Sequence, residues 1–280
     1  MRVDEVASPQ SIAECMTFMK RRPEAVVWAG GTALMTIADR PLSDKPLPVL
    51  DLHRVQELRS ISGSDRYIEL GACVSLQSIL ELPKRRALVP LKQAILGIGN
   101  PPLRNMATIG GNIAARSRFM TCFPVLTCLD AALETRDGSG AKWSGFQHIV
   151  DADGHPSFPE STLLTRIRIP TAFWDNYCVR PMGDDGYPDA GSFTFAGVAR
   201  MEKNTIVELR VCAAGSVFVR NRDAELELVG KRLPLGHKET DTLLGGFEAA
   251  GEVAGLSPRM ARRYAYYVKT FFEYSPDEPQ

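Results

Sequence analysis

Apolar positions along the chain fall into short clusters, and their spacing predicts strands and helices in alternation. In SIAECMTFMKRR, Ile12, Cys15, Met16 and Met19 recur at helical spacing behind the helix start Ser8-Pro9, and the pattern ends near Arg22-Pro23. Ala25 to Trp28 is an apolar run of strand length; Gly30-Gly31 follows as a turn, with Thr32 as the N-cap of a helix over ALMTIADR. PLPVLDLHRV reads as a strand leaving a proline-rich loop, and YIELGACVSLQSILE as a strand passing into a helix at about Ser75. ALVPLKQAILGIG continues as helix and stops between Gly97 and Asn100, before Pro101-Pro102. A second Gly-Gly, in NMATIGGNIAA, precedes an apolar helix from about Pro124 to Leu133. TLLTRIRIP is a strand closed by Pro170, and the stretch from Asp175 to Asp189 reads as irregular. SFTFAGVARM and IVELRVCAAG form a hairpin across Lys203-Asn204, and two helices follow, the second from Ser257-Pro258. A domain boundary at about residue 170 separates this α+β C-terminal part from the rest.

Composition narrows the class of protein. The 280 residues carry 33 Lys+Arg and 33 Asp+Glu, so no net basic charge exists to displace counterions from nucleic acid. No apolar run approaches the roughly 18 residues of a membrane span, and MRVDEVASPQ has no targeting character, which predicts a cytoplasmic protein without a membrane span. Cys15, Cys73, Cys122, Cys128, Cys178 and Cys212 are widely spaced in apolar contexts and read as reduced, buried thiols. His53, His148, His155 and His237 are dispersed, so neither a metal site nor a proton-transfer catalyst is expected. Tyr264, Tyr266, Tyr267, Phe271 and Phe272 on the last helix read as core, with a docking surface as the other use.

The glycine pairs carry the candidate chemistry. AVVWAGGTALM places Gly30-Gly31 before a helix, where orphan backbone N–H groups and the helix dipole favour an anion, and where a β-carbon would hold a phosphate off. TIGGN offers a comparable arrangement, with Thr108 and Asn112 as flanking donors. Each pair alone reads more readily as a tight turn than as an anion site, and neither matches GxGxxG or a P-loop.

Together, AGGTALM and NMATIGGNIAA resemble the two flavin-diphosphate motifs of the FAD-binding medium subunit of molybdenum hydroxylases, the xanthine dehydrogenase and carbon monoxide dehydrogenase family. LDLHRVQELRSI, YIELGACVSLQSI, LLTRIRIP and MARRYAYYV extend the resemblance over nearly the whole chain. It implies an α+β fold: a two-subdomain FAD-binding domain of the PCMH/vanillyl-alcohol-oxidase type over residues 1–170, with subdomains of about 1–55 and 56–170, and a smaller α+β domain over 171–280. It implies non-covalent FAD held by Ala29, Gly30, Gly31, Thr32 and Ala33 and by Thr108, Gly110, Gly111 and Asn112, with Ile109 and Leu163 or Leu164 nearer the rings.

The implied function is electron transfer in a multi-subunit complex. A molybdenum-cofactor subunit oxidises the substrate, an iron-sulfur subunit relays the electrons, and FAD on this chain passes them to NAD or another acceptor. A non-catalytic FAD-fold scaffold is the other reading; a stand-alone flavin oxidase is disfavoured, because the chain has little room for a substrate domain. Some relatives insert a four-cysteine iron-sulfur site after TIGGN, but only Cys122 and Cys128 lie there, so none is expected. One departure stands out: where the family commonly has an acidic residue three positions before the helix-opening proline, here Pro124, this chain has Thr121, with Arg116 and Arg118 just upstream. Those arginines either raise the flavin potential or face solvent or a partner.

Overall fold

The computed structural model describes residues 2–36, 45–115, 121–151, 157–159, 161–182, 193–215 and 217–273. The chain opens with β1 (Val3–Ala7), α1 (Ile12–Arg21), β2 (Val26–Trp28), α2 (Thr32–Thr36) and β3 (Leu47–Asp51). Its three strands form a parallel sheet in the order β1-β3-β2. Helix α1 begins later than Ser8-Pro9 suggests, because the hydroxyl of Ser11 accepts the Glu14 N–H at 3.2 Å and caps it. Ile12, Cys15, Phe18 and Met19 form its buried face.

The next ten elements are β4 (Ile61–Gly63), β5 (Tyr67–Gly71), α3 (Leu76–Glu81), α4 (Val89–Leu96), α5 (Pro101–Met106), α6 (Ile109–Ala114), α7 (Cys122–Cys128), β6 (Ala132–Asp137), β7 (Gly140–Gly145) and β8 (Leu163–Pro170). The strands form an antiparallel sheet, β4-β5-β8-β6-β7. On β8, Ile167 and Ile169 point into the core while Arg168 points out, its guanidinium 4.0 Å from the Trp143 ring centroid and 2.7 Å from Glu69. Pro101-Pro102 does not mark a gap between elements. Asn100 accepts the Leu103 N–H and Pro101 takes the first helical position, where a missing N–H costs nothing, so α5 starts there. The apolar helix expected over Pro124 to Leu133 is α7 instead, two residues earlier at its start and ended by Leu129 and a left-handed Asp130 (φ 56°). Leu133 belongs to β6.

The last part contains β9 (Asn176–Met182), β10 (Phe193–Glu202), β11 (Thr205–Gly215), β12 (Phe218–Val219), α8 (Arg222–Leu228), α9 (His237–Val253) and α10 (Pro258–Glu273). Its sheet order is β12-β11-β10-β9. Lys203 and Asn204 both take positive φ, as a two-residue hairpin turn between twisted strands requires. Two expectations fail here. Asn176–Met182 is not irregular, since it pairs with β10 through seven residues, and three helices follow the hairpin rather than two. The aromatic residues of α10 divide: Tyr264 and Phe271 are buried, Tyr267 stacks on Phe195 at 5.8 Å, and Tyr266 is exposed.

All seven residues of α7 are buried, because the helix packs on β10 and β11 and is enclosed by α4, α6 and the Phe146–His148 turn, in a cluster that also takes in residues of the five-stranded sheet. Phe123 meets Phe146 edge-on at 5.0 Å on one side and Phe218 at 5.9 Å on the other. Val179, Ala196, Val198, Cys212 and Ala214 close the same apolar cluster, so it continues across residue 170. The opposite face of the four-stranded sheet buries Phe195, Leu209 and Val211 under α8–α10. No helix among the described residues is long and apolar enough to cross a membrane.

Strand β12 is too short to pair the whole edge of β11, and Glu225 of α8 fills the gap. Its carboxylate accepts the Val211 N–H at 2.8 Å and a two-point contact from Arg220 at 3.1 and 3.2 Å, with both side chains largely buried. Glu225→Leu leaves a buried guanidinium and an amide unpaired, and we expect it to lower unfolding free energy by about 3–5 kcal/mol in urea denaturation. Arg220→Met combined with Glu225→Leu should recover a large part of that loss.

Candidate functional site

Both glycine loops meet at one place in the fold. Strand β2 delivers Trp28, and the chain turns through Ala29, Gly30 and Gly31 into α2. Gly31 has φ +68°, and a β-carbon there would fall 2.3 Å from the Trp28 ring, so both conformation and space demand glycine. A β-carbon on Gly30 would lie 2.0 Å from the Met106 carbonyl oxygen and 3.2 Å from Ala107 Cα. The first loop is therefore pressed, backbone to backbone, onto the segment that leads into the second.

The two loops differ in what they can donate. The first i→i−4 bond of α2 runs from Met35 N–H to Gly31 O at 3.0 Å. The amides of Ala33 and Leu34 precede it, in the first turn, where a helix offers them no acceptor of its own. Thr32 itself lies in the first helical turn and is not the cap before it.

TIGGN is not a donor-bearing turn. Thr108 is the N-cap of α6, and Gly110 and Gly111 sit in the helix's first turn. All four leading amides are engaged: Ile109 N–H with Val74 O at 3.0 Å, Gly110 N–H with Ala72 O at 2.9 Å, Gly111 N–H with Thr108 Oγ1 at 3.1 Å, and Asn112 N–H with Thr108 O at 2.9 Å. Gly110 is required by packing, since a β-carbon would come within 2.7 Å of Ala72. At Gly111 the added atom would meet only Thr108 Oγ1, at 2.8 Å, so that position faces outward. The Asn112 side-chain oxygen accepts the Cys122 N–H at 3.1 Å and so fixes the start of α7.

The segment behind the loops is tied down by the same kind of bond. Ala72 N–H donates to Thr165 O of β8, Cys73 N–H to Leu58 O, and Leu76 N–H to Ala107 O, all at 2.8–2.9 Å. Ile109 is wholly buried in the central cluster, Leu164 is buried beside the same cluster, and Leu163 packs with α1 and β3 residues. Ala29, Gly30, Gly31, Thr32, Ala33, Gly111 and Asn112 are half-buried and form the accessible surface, whereas Thr108, Ile109 and Gly110 are buried. Thr121 precedes α7, and Arg116 and Arg118 lie outside the described residues.

Sequence reasoning missed three contributors: Trp28 under Gly31, Met106–Ala107 against Gly30, and Arg104. Arg104 is buried and donates to Ile98 O at 3.0 Å, Gly99 O at 2.9 Å and Gln77 Oε1 at 3.3 Å, holding the turn before α5. A lone arginine inside the otherwise uncharged PPLRNM was the available signal. Burial pushes the thiols of Cys15 and Cys122 up to about 12 and that of Cys73 up to about 11, so none is a thiolate near neutrality. His53, His148 and His237 are exposed, and no group of three metal-ligating side chains occurs among the described residues. His155 lies outside them.

The family model described as the FAD binding domain in molybdopterin dehydrogenase matches residues 2–172. The chain is 27% identical over 232 residues to the glyceraldehyde dehydrogenase medium chain of Sulfolobus acidocaldarius, covering 80% of each. It is 28% identical over 164 residues to the carbon monoxide dehydrogenase medium chain of Afipia carboxidovorans, covering 58% of this chain and 57% of that one. With the putative xanthine dehydrogenase FAD-binding subunit of Escherichia coli, 26% identity extends over 57% of this chain and 55% of the relative. The matched region thus spans four-fifths of the first relative and little more than half of the other two. Among solved structures, reconstituted carbon monoxide dehydrogenase from Oligotropha carboxidovorans superposes with a TM-score of 0.81 at 21% identity, over 96% of this chain and 97% of that one. Quinoline 2-oxidoreductase from Pseudomonas putida 86 gives 0.79 at 21%, over 97% and 96%. These two likenesses show the shared fold.

Because Gly30 and Gly110 are set by backbone contact, Gly30→Ala and Gly110→Ala should each cost roughly 1–3 kcal/mol of stability. Gly111→Ala gains helix propensity of about 1 kcal/mol and loses a cap of similar size, so its midpoint should stay near that of the parent. Chemical denaturation of the three variants checks the order.

Proposed function

The chain belongs to the family of FAD-binding domains in molybdopterin dehydrogenases, as an FAD-binding oxidoreductase subunit of the xanthine and carbon monoxide dehydrogenase type, and from that premise we propose that it forms the flavin junction of a multi-subunit electron-transfer chain. In this reading an iron-sulfur subunit delivers electrons drawn from a molybdenum-cofactor subunit, and NAD or another acceptor removes them. Residues 1–170 carry the flavin, and 171–280 form a second domain that covers α7.

The observation that carries the proposal is the contact of Gly30 with Met106–Ala107, which sets the half-buried residues 29–33 beside Thr108, Gly111 and Asn112. The donor set fits an FAD diphosphate at one loop only. The amides of Ala33 and Leu34 in the first turn of α2 have no acceptor within the helix, while those of α6 are engaged. Ala29, Gly30, Gly31, Thr32 and Ala33 would hold the diphosphate. Thr108, Gly111 and Asn112 would form the facing wall, where a glycine keeps the approach open. Ile109 and Gly110 support that wall from within, and one of Leu163 and Leu164, which point to opposite sides of β8, would stand toward the rings. Flavin exchanges electrons singly or in pairs, which suits a junction between carriers of the two kinds. The chain's own task is to bind, orient and shield the cofactor, and no side chain near the loops is assigned a proton.

Purified protein should be yellow and release FAD on denaturation, since neither loop contains a residue for a covalent tether. Gly111→Asp places a carboxylate at the outward-facing position and should lower FAD affinity by at least tenfold while leaving the unfolding midpoint within a few degrees of the parent. A colourless protein that takes up no added FAD, or a variant with unchanged affinity, would refute the site. The flavin-loaded chain alone should oxidise neither purines nor aldehydes, and should oxidise NADH slowly with an artificial dye; substrate hydroxylation by the isolated chain would overturn the division of labour.

A further inference from the structure

A cleft of about 930 Å³ opens at the other end of the four-stranded sheet from the Phe193–Met182 pair, near the pairing of Ala199 with Asn176. It lies within the size range of small-molecule sites and contains none of the glycine-loop residues. Its walls come from five parts of the chain: the residues at the start of α4, the connection from β8 into β9, the β10–β11 hairpin, the segment before α9, and helices α9 and α10.

Three aromatic rings line it without being fully covered. Phe173 is 47% exposed, and Tyr177 and Phe272 are half-buried, an arrangement unlike the packed aromatic residues of the core. Two cations share the cleft. The Arg86 guanidinium lies over the Phe173 ring, 5.7 Å from its centroid, and makes no ion pair with any described carboxylate. Among the described residues Lys269 makes one ion pair, a long contact with Glu273 at 3.8 Å. Of the two acids, Asp175 is engaged, accepting the Met201 N–H at 2.8 Å, and Glu273 sits at the end of α10. Partly exposed rings beside a guanidinium that no described carboxylate pairs match one kind of ligand.

We propose that this cleft is a second binding site, separate from the flavin loops, for a planar aromatic molecule carrying one negative charge. The ring lies against Phe173 and Tyr177, and the anion is held by Arg86, with Lys269 as the second cation. A neutral ring loses the charge-assisted contact, and a non-aromatic anion loses the stacking surface.

The test titrates the flavin-loaded full chain with 1-anilinonaphthalene-8-sulfonate, read by fluorescence enhancement. Saturable binding at one equivalent is expected, with affinity reduced about tenfold both in Arg86→Gln and for the neutral N-phenyl-1-naphthylamine. Phe173→Ala should weaken the probe comparably while FAD content stays unchanged. Displacement of the probe by excess FAD would place it in the flavin site and overturn the proposal. So would binding that never saturates, or equal affinity in parent, Arg86→Gln and Phe173→Ala.

Discussion

The approach of Gly30 to the Met106 carbonyl is the contact on which the accessible face of the molecule depends. At a β-carbon distance of 2.0 Å, no side chain of any kind can stand between the two segments. Backbone therefore meets backbone, and the parallel three-stranded sheet is locked at one fixed distance from the helices α5 and α6. Hydrogen bonds continue the constraint inward: Ala107 O to Leu76 N, Ala72 O to Gly110 N, and Thr165 O to Ala72 N. A displacement at the glycine loops would have to break this ladder as far as the central strand β8. Such rigidity suits a cofactor cradle, since binding then requires little ordering of the chain.

Division of work between the loops follows from the same packing. The second loop reaches its position by giving up its amides to neighbouring backbone, so it contributes shape and not charge. The first loop enters its helix through a left-handed glycine, and the amides of Ala33 and Leu34 have no acceptor within that helix. Arg104, buried behind α5, satisfies carbonyls of the preceding turn that would otherwise lack partners. Two motifs alike on paper thus differ in the fold: one turns into its helix through a left-handed glycine, and the other has its leading amides bonded to neighbouring backbone and to its own cap.

A second constraint is α7, which is buried on every side because the four-stranded sheet covers one face and α4, α6 and the Phe146–His148 turn cover the others. It makes the central cluster continuous from the five-stranded sheet to β10 and β11. The other face of the four-stranded sheet holds its own cluster, sealed at the β11 edge by the Glu225–Arg220 pair. Where the linker, the hairpin tip and the end of α10 meet without an apolar helix to fill the space, the aromatic cleft remains.

Much of this was legible in the residues themselves. The period of apolar positions located α1, α3, α4, β8 and α10, and Lys203-Asn204 announced its hairpin through the residue types that tolerate positive φ. AGGTALM and NMATIGGNIAA together resemble the flavin-diphosphate motifs of the family whose model matches the chain, and their glycines stand where neighbours come close. Sequence could not reveal which neighbour. Gly110 and Gly111 read as a turn, yet they lie in a helix, since the acceptors for their amides, Ala72 and Thr108, include one 38 residues away that only tertiary folding brings near. Strand β9 was hidden among turn-forming residues until β10 supplied its partner. Local propensity and spacing determine which segments form; close approach between distant segments decides which amides stay available, and hence which loop can hold an anion.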